Sequence, residues 1–410
     1  MTASMAATHA TNRKLSDAIF EANKLCKDAI KKFGNDKVTN ATIGVVLDEE
    51  EKISFLPTVE KVFREMSMPE IISYAPISGL PDYLESVREI IFGRVNYEGY
   101  FGLAATSGGT GAIHHAIANY AERGESVLTS DWFWGTYNVI CKETGKNLET
   151  FKLFDADLKK FNIENFSDRV SEILAKQNSL LIILNTPAHN PTGYALTGDE
   201  WDKVLDVIKN HAAKGKKISL LVDIAYVDFY AEKKVAWDFV NKFGNLPENV
   251  LILMSFSMSK SYTLYGQRTG ALVAMSTGKE VIDEFKETTK FSCRATWSNI
   301  NCGAQNLLVK LWRDEKLRKD LEREQTGLRE MVKKRAEIFV DEAEKCGLKI
   351  VPYTGGFFIA VPAENPAAVC EKLHDDLIFA VPLKLGVRVA ACSVPLKKMY
   401  GVAEKMKKAF

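Results

Sequence analysis

Three apolar runs in this sequence each end in residues able to do chemistry. Ser179–Leu184 runs into Asn185-Thr-Pro-Ala-His-Asn190-Pro-Thr-Gly193, which offers amides held in a turn. Ile218–Val222 runs into Asp223-Ile-Ala-Tyr226, a carboxylate with a phenol three residues on. Asn249–Met254 runs into Ser255-Phe-Ser257-Met-Ser-Lys260, and Gly266-Gln-Arg268 follows. That segment sets a hydroxyl, an amine and a guanidinium along one stretch. An earlier cluster, Ser107-Gly108-Gly109-Thr110-Gly111, opens a helical pattern, and the amino end of a helix presents free N–H groups to an anion.

Pyridoxal phosphate uses all of these groups at once. It takes a lysine amine for a Schiff base. A carboxylate keeps its pyridine nitrogen protonated, so that the ring draws in electrons. Donors to the phenolic oxygen lower the proton affinity of the imine. Backbone N–H groups, hydroxyls and an arginine form a cup for the phosphate. Taken singly, Lys260 reads as a surface lysine, Asp223 as a helix cap and Asn190-Pro-Thr-Gly193 as a turn. Their order and spacing together are what point to the cofactor.

The elements that must position these groups follow from the patterning. Short, wholly apolar runs alternate with amphipathic stretches, as in a mostly parallel sheet covered on both faces. Ser126–Thr129, Thr150–Leu153, Leu180–Leu184, Ile218–Val222 and Asn249–Met254 are predicted strands. Ser16–Phe33, Gly111–Glu122, Gly198–Ala213 and the charged stretch Trp312–Leu348 are predicted helices. In such sheets ligands bind at the carboxyl ends of strands, where the groups above lie. Towards the C-terminus a Gly355–Gly356 turn and the strands Phe357–Val361 and Val387–Ala391 suggest a smaller second layer. The fold class is α/β, three-layered, with a smaller α+β domain. The expected division is an N-terminal arm with part of the small domain over 1–53, a large cofactor domain over 54–317 and a small domain over 318–410.

At these motifs the chain resembles the class I aminotransferases, the aspartate and aromatic aminotransferase family of fold-type I, from about Ile43 to Pro395. The resemblance implies that Lys260 is the Schiff-base lysine and catalytic proton carrier. Ser257, Arg268, Gly109 and Thr110 match phosphate ligands. Asp223 matches the partner of the pyridine nitrogen, and Tyr226 and Asn190 match donors to the phenolic oxygen. Trp134, in Trp132-Phe-Trp134-Gly-Thr-Tyr137, matches the aromatic that stacks on the ring. Tyr74 matches a tyrosine that reaches the phosphate of a neighbouring subunit, which implies a homodimer with shared sites. Arg388, in Gly386-Val-Arg-Val, matches the fork for the substrate α-carboxylate, a contact that Asn190 and Trp134 adjoin. Arg294 matches a second arginine, given by the other subunit, that reads a side-chain carboxylate in acidic substrates and swings aside for aromatic ones. The implied reaction moves an amino group between an L-amino acid, acidic such as aspartate or aromatic, and 2-oxoglutarate.

Two departures from the family pattern carry expectations. Where many members have Gly-Val-Gly this chain has Gly44-Val45-Val46, so Val46 is expected to narrow the substrate pocket or displace its strand. His189 and Tyr137 are read as variations that leave the cofactor core untouched. The competing reading is a pyridoxal-phosphate-dependent carbon–sulfur β-lyase, which shares fold and lysine but has no need of a distal arginine.

Composition removes other classes. The 54 basic and 53 acidic residues nearly cancel, which excludes a dominant nucleic-acid surface. No apolar run approaches the length of a membrane span. Seven scattered cysteines without a C-x-x-C pair suit a reducing compartment, and the cytoplasm is the expected location. Met1–Asn12 is small and polar and is expected to be a disordered arm. No metal site is expected. His114 and His115 are adjacent on a predicted helix and cannot face one ion together, and His9, His189, His211 and His374 have no matching ligand set.

Overall fold

The computed structural model describes residues 5–11, 13, 15, 17–93, 95 and 97–410. Seven strands form the central sheet: β1 (Tyr100–Ser107), β2 (Ser126–Ser130), β3 (Asn147–Phe151), β4 (Ser179–Asn185), β5 (Lys217–Asp223), β6 (Val250–Ser257) and β7 (Thr269–Ser276). Their order is β1-β7-β6-β5-β4-β2-β3. β2 through β6 pair in parallel, while β7 runs antiparallel to both β1 and β6.

β1 and β7 carry no signal in the apolar patterning. Both are rich in Ala, Gly and Ser, so neither shows a run of large β-branched residues. Yet β7 is buried along its whole length, between two partners. Its reversed direction matters for function. The amino end of β7, not its carboxyl end, lies at the active edge, which places Arg268 there. The register aligns Asn185 with Asp223, Asp223 with Ser255, Ser257 with Gly270 and Ser107 with Thr269. All the chemical motifs therefore emerge from one edge of one sheet.

Helices cover the sheet, and their ends follow local capping. α1 (Ala18–Phe33) starts at Asp17, whose carboxylate accepts from the N–H groups of Ile19 and Phe20. Ser16, at the start of the predicted helix, lies outside the described residues, as do residues 1–4 and 12 of the predicted arm. Within that arm Thr8–Ala10 form a 3-10 turn. α2 (Gly108–Tyr120) begins three residues earlier than predicted, because the glycines themselves make its first turn. α3 (Thr136–Glu143) follows the tryptophan motif, and α4 (Gly198–Ala212) carries a capping box between Thr197 and Glu200.

α5 (Lys279–Thr296) follows the central sheet, and the long charged stretch predicted from Trp312 is one 32-residue helix that begins three residues later, at Glu315. α6 (Cys302–Arg313) stops at Asp314, which then caps α7 (Glu315–Cys346) through Leu317 N at 2.9 Å. Gly347, with φ 68°, ends α7 in the left-handed region.

The second layer holds β8 (Phe358–Pro362), β9 (Val381–Pro382) and β10 (Gly386–Ala390), antiparallel in the order β9-β10-β8. A separate apolar cluster joins Ala41 to Phe339, Ile359, Val387 and Met399, distinct from the cores on the two faces of the large sheet. The pair Thr39–Asn40 with Ile378–Phe379 ties the segment after α1 into this layer. Among the described residues no helix is long and apolar enough to cross a membrane, and no group of His, Cys, Asp or Glu is placed to hold a metal ion.

Candidate active site

A cavity of about 310 Å³ opens where the carboxyl ends of β4, β5 and β6 meet the amino end of α2 and the second layer. Gly109, Thr110, Trp134, Asn190, Asp223, Tyr226, Ser257, Lys260, Arg268 and Arg388 all line it. Tyr74 and Arg294 do not. Tyr74 is 91% exposed. Arg294 lies on the outer face of α5, donating to Ser298 Oγ at 2.6 Å.

Lys260 follows β6 on a single turn of helix capped by Ser257, whose Oγ accepts from Ser259 N at 3.2 Å. Lys260 Nζ donates to Gly44 O at 2.6 Å. The rings of Tyr265, Tyr226 and Phe357 stand 4.9, 5.6 and 5.6 Å from it. Burial pushes the amine down to about 8; Arg388 and Arg268 push the same way, and Cys392 opposes them.

Asp223 is 4% exposed at the end of β5. Its Oδ2 accepts from Tyr137 Oη at 2.6 Å and its Oδ1 from Ala225 N at 3.2 Å. Burial raises the carboxyl to about 6 against the lowering effect of those two donors. Tyr226 Oη accepts from Asn190 Nδ2 at 3.5 Å, and burial pushes its phenol upward. Asn190 is itself fixed by its N–H donating to Asn185 Oδ1 at 2.6 Å.

The anion cradle rests on two glycines. A Cβ on Gly108 would lie 2.7 Å from Arg268 Nη2, and one on Gly109 would lie 3.0 Å from Ser255 Oγ. Arg268 reaches that place from a left-handed backbone, φ 50°, a conformation that costs a non-glycine residue about 1 kcal/mol or more. Its Nη1 is held by Ser259 Oγ at 3.1 Å and Tyr265 O at 2.9 Å. The guanidinium thus faces the free N–H groups that open α2.

Arg388 stands on β10, 2% exposed, with its guanidinium 4.3 Å over the Phe358 ring. Its Nη2 donates to Thr42 O at 2.8 Å and its Nη1 to Asn190 Oδ1 at 3.3 Å, while its Nε is buried without a partner. Burial lowers it to about 10. A buried guanidinium with a donor left over has hydrogen-bonding capacity that a carboxylate can use.

Two sequence expectations are corrected here. Val46 does not narrow the cavity. It is fully buried among Tyr226, Phe357, Phe358 and Cys392, and its N–H donates to Tyr265 Oη at 3.0 Å. Gly44 and Val45 are the lining residues, and Gly44 is the position of close approach: a Cβ there would lie 2.8 Å from Phe358 Cζ. Tyr137 is not remote from the core but bonded to Asp223. His189 matches its reading: buried, bonded to Thr192 Oγ1 at 2.7 Å, and outside the cavity lining. Further lining residues are Ile19, Asn185, Ser259, Tyr265 and Phe358. Tyr265 had a signal, five residues after Lys260 in the same motif, whereas Ile19 and Phe358 arrive only through tertiary packing.

Known proteins resemble this chain in sequence and in fold. The family described as aminotransferase class I and II matches residues 36–399. A mitochondrial aspartate aminotransferase of Schizosaccharomyces pombe is 28% identical over 315 residues, covering 75% of this chain and 69% of that protein. The crystal structure of an aminotransferase from Anaerococcus prevotii is 39% identical, with TM-score 0.96 over 98% of both chains. An aromatic-amino-acid aminotransferase from Burkholderia pseudomallei, covalently bound to pyridoxal phosphate, shares the fold at 21% identity, with TM-score 0.81 over 99% of this chain and 100% of that one. With the family matched along nearly its whole length, the chain belongs to the class I and II aminotransferases.

Proposed function

We propose that this transaminase moves an amino group between an L-amino acid, acidic such as aspartate or aromatic, and 2-oxoglutarate, with Lys260 as the residue that carries the cofactor. Membership of the family makes the chain a transaminase of amino and 2-oxo acids, and pyridoxal phosphate is its cofactor. The observation that carries the residue roles is the convergence of Lys260, Asp223, Tyr226, Asn190, Arg268 and Arg388 on one cavity. The residues fit the cofactor: Gly108 and Gly109 leave open a cradle, beside Arg268 and Ser255, that a Cβ would fill.

When bound, pyridoxal phosphate supplies an electron sink for the bond broken at the substrate α-carbon. Thr110, Ser257, Arg268 and the amino end of α2 would hold its phosphate. Trp134 would pack against the ring. Tyr226 and Asn190 would donate to the phenolic oxygen, and Asp223 would hold a proton at the ring nitrogen. Arg388 orients the substrate by its α-carboxylate. Lys260 Nζ, which burial brings down from the ordinary lysine range to about 8, becomes a free base at mildly alkaline pH and would carry the α-proton between the two ends of the transferred nitrogen. Ile19, Val45 and Phe358 give the substrate side chain an apolar wall. Tyr74 and Arg294 serve the site of a second copy of the chain, so the active unit is a homodimer. A cytoplasmic location suits the seven free thiols.

The test is the absorbance spectrum of the holoenzyme with L-aspartate, L-glutamate, L-tyrosine, L-phenylalanine and L-cysteine added separately. Loss of the visible band to the near-ultraviolet with a given donor names the substrate class. Pyruvate and ammonia from cysteine, with the visible band retained, favour a carbon–sulfur β-lyase instead. A Lys260→Ala protein that transaminates at the parent rate overturns the lysine assignment.

A further inference from the structure

Tyr137 has no role in the chemistry described so far, although its hydroxyl bonds Asp223 from behind the cavity wall. It sits in the first turn of α3, three residues after Trp134, and is fully buried. Its Oη donates to Asp223 Oδ2 at 2.6 Å, a short bond of the kind made to an ionised acceptor. The Trp134 ring packs edge-on against it at 5.7 Å, so one short segment supplies both the stacking aromatic and this donor.

The surroundings of Asp223 make that donor consequential. Facing the carboxylate are Tyr137 from α3, the Ala225 N–H on its own loop, and Tyr226. Asn185 donates only to the backbone oxygen of Asp223, at 2.7 Å. No cation among the described residues bonds to the carboxylate. Two neutral donors therefore stand between this anion and the low-dielectric interior, and one of them is a phenol whose own ionisation burial opposes. A neutral donor stabilises the anion without adding a positive charge that would repel a protonated ring.

We propose that Tyr137 is a positioning residue which, through Asp223, keeps the proton shared with the cofactor on the ring nitrogen rather than on the carboxyl. The proposal rests on the reading that Asp223 faces that nitrogen. The balance is simple. One proton lies between a carboxylate oxygen and a pyridine nitrogen; a donor to the carboxylate lowers the proton affinity of the oxygen and leaves the proton on nitrogen. Without the phenol hydroxyl the carboxylate regains proton affinity and draws the proton back.

The experiment loads the cofactor-free protein with pyridoxal phosphate carrying nitrogen-15 in the ring and follows the ring-nitrogen resonance with pH, since its chemical shift reports protonation directly. Wild-type protein is expected to show a protonated ring nitrogen through neutral pH. Tyr137→Phe is expected to move the resonance towards the unprotonated position, or to lower its titration midpoint by about 1–2 pH units, the size of one hydrogen bond to a charged group. Replacing Tyr137 alone by 3-fluorotyrosine, a stronger donor of nearly the same shape, raises the midpoint and decides the matter if the phenylalanine variant fails to fold. Asp223→Asn separates the two readings. A ring nitrogen still protonated in Asp223→Asn overturns the assignment of Asp223. An unprotonated nitrogen in Asp223→Asn, with Tyr137→Phe and the fluorinated variant both indistinguishable from wild type, overturns the role of Tyr137 alone.

Discussion

Lys260 Nζ donates to the backbone oxygen of Gly44 at 2.6 Å, so this amine is held by main chain and not by an acidic side chain. A carboxylate in that place would raise the proton affinity of the amine, whereas a carbonyl orients it and leaves burial to lower it. The segment that offers the carbonyl is fixed from outside the cavity. Arg335, fully buried on α7, donates to Leu47 O at 2.8 Å and to Cys392 O at 2.9 Å. Gly44 is then the position that must lack a side chain, because Phe358 and Lys260 close over it.

Gly44→Ala places a methyl 2.8 Å from Phe358 Cζ. Phe358 supports the Arg388 guanidinium, so its displacement moves the group proposed to hold the substrate carboxylate. We expect kcat/KM to fall by about 10- to 100-fold, mostly through KM for the amino donor. Val46→Ala removes buried methyls outside the cavity and costs stability on the order of 2 kcal/mol with KM unchanged. Steady-state kinetics and thermal unfolding of the two variants check this pair. The reverse pattern, with Val46→Ala controlling KM, would restore the reading of Val46 as a pocket wall.

The pH at which cofactor-free protein captures pyridoxal phosphate reports on Lys260. Only the neutral amine attacks a carbonyl. An ordinary lysine becomes neutral near about 10.4. Burial brings Lys260 to about 8, so it is protonated below that pH and neutral above it. The capture rate in stopped-flow absorbance should therefore rise with pH about a midpoint near 8. Arg388→Met removes a positive charge that pushes the amine down and should raise the midpoint. A midpoint at the ordinary lysine value would mean that the amine is solvated.

Much of the cavity lining was legible because Asn190, Asp223 and Lys260 sit just beyond apolar runs, and parallel strands deliver their carboxyl ends to one edge. Asp223, Lys260 and Asn190 could be placed on that edge by pattern alone. Arg268 reaches the same edge by another route, through the reversed direction of β7, whose mixture of Gly, Ala, Leu, Val and Met lacks a β-branched run. The expectations for Val46 and Tyr137 fail for a related reason. Neither position follows from spacing along one strand: Val46 is held by Tyr265 across 219 residues and Tyr137 meets Asp223 across 86. Long-range packing of this kind leaves no periodic trace in the chain.

Asp223 makes the cofactor-free protein sensitive to pH in a defined direction. Its carboxyl is raised to about 6 in the folded state, against about 3.9 in an unfolded chain. Between those values the folded protein holds a proton that the unfolded chain has lost. The contribution of this group to stability is therefore complete below about pH 4, falls as pH rises through that window, and is constant above about 6. The loss is on the order of 2–3 kcal/mol. Asp223→Asn has no such titration, so its melting temperature relative to wild type should climb from pH 4 to pH 6 and then level off. Bound pyridoxal phosphate should restore wild-type stability at neutral pH, where the carboxylate gains a partner. A difference between the two proteins that does not vary over this range would show that the Asp223 carboxyl is not perturbed by burial.

The assignment of Tyr74 and Arg294 to a second subunit predicts that activity depends on assembly. Tyr74 follows an exposed apolar segment containing Met68 and Ile72, and Arg294 follows Phe291, which is 78% exposed on α5. Large apolar side chains left in water on two segments that each bear a candidate site residue are what an interface between copies would cover. Light scattering of the wild-type holoenzyme should give twice the mass of the chain. Ile72→Asp combined with Phe291→Asp buries charge in that interface and should shift the protein towards monomer while leaving its circular dichroism unchanged. If the sites are shared, specific activity of the double variant falls on dilution and recovers on concentration, because the monomer lacks the Tyr74 and Arg294 of its partner. A stable monomer with undiminished activity would place both residues outside the working site and leave the groups on the cavity wall sufficient by themselves.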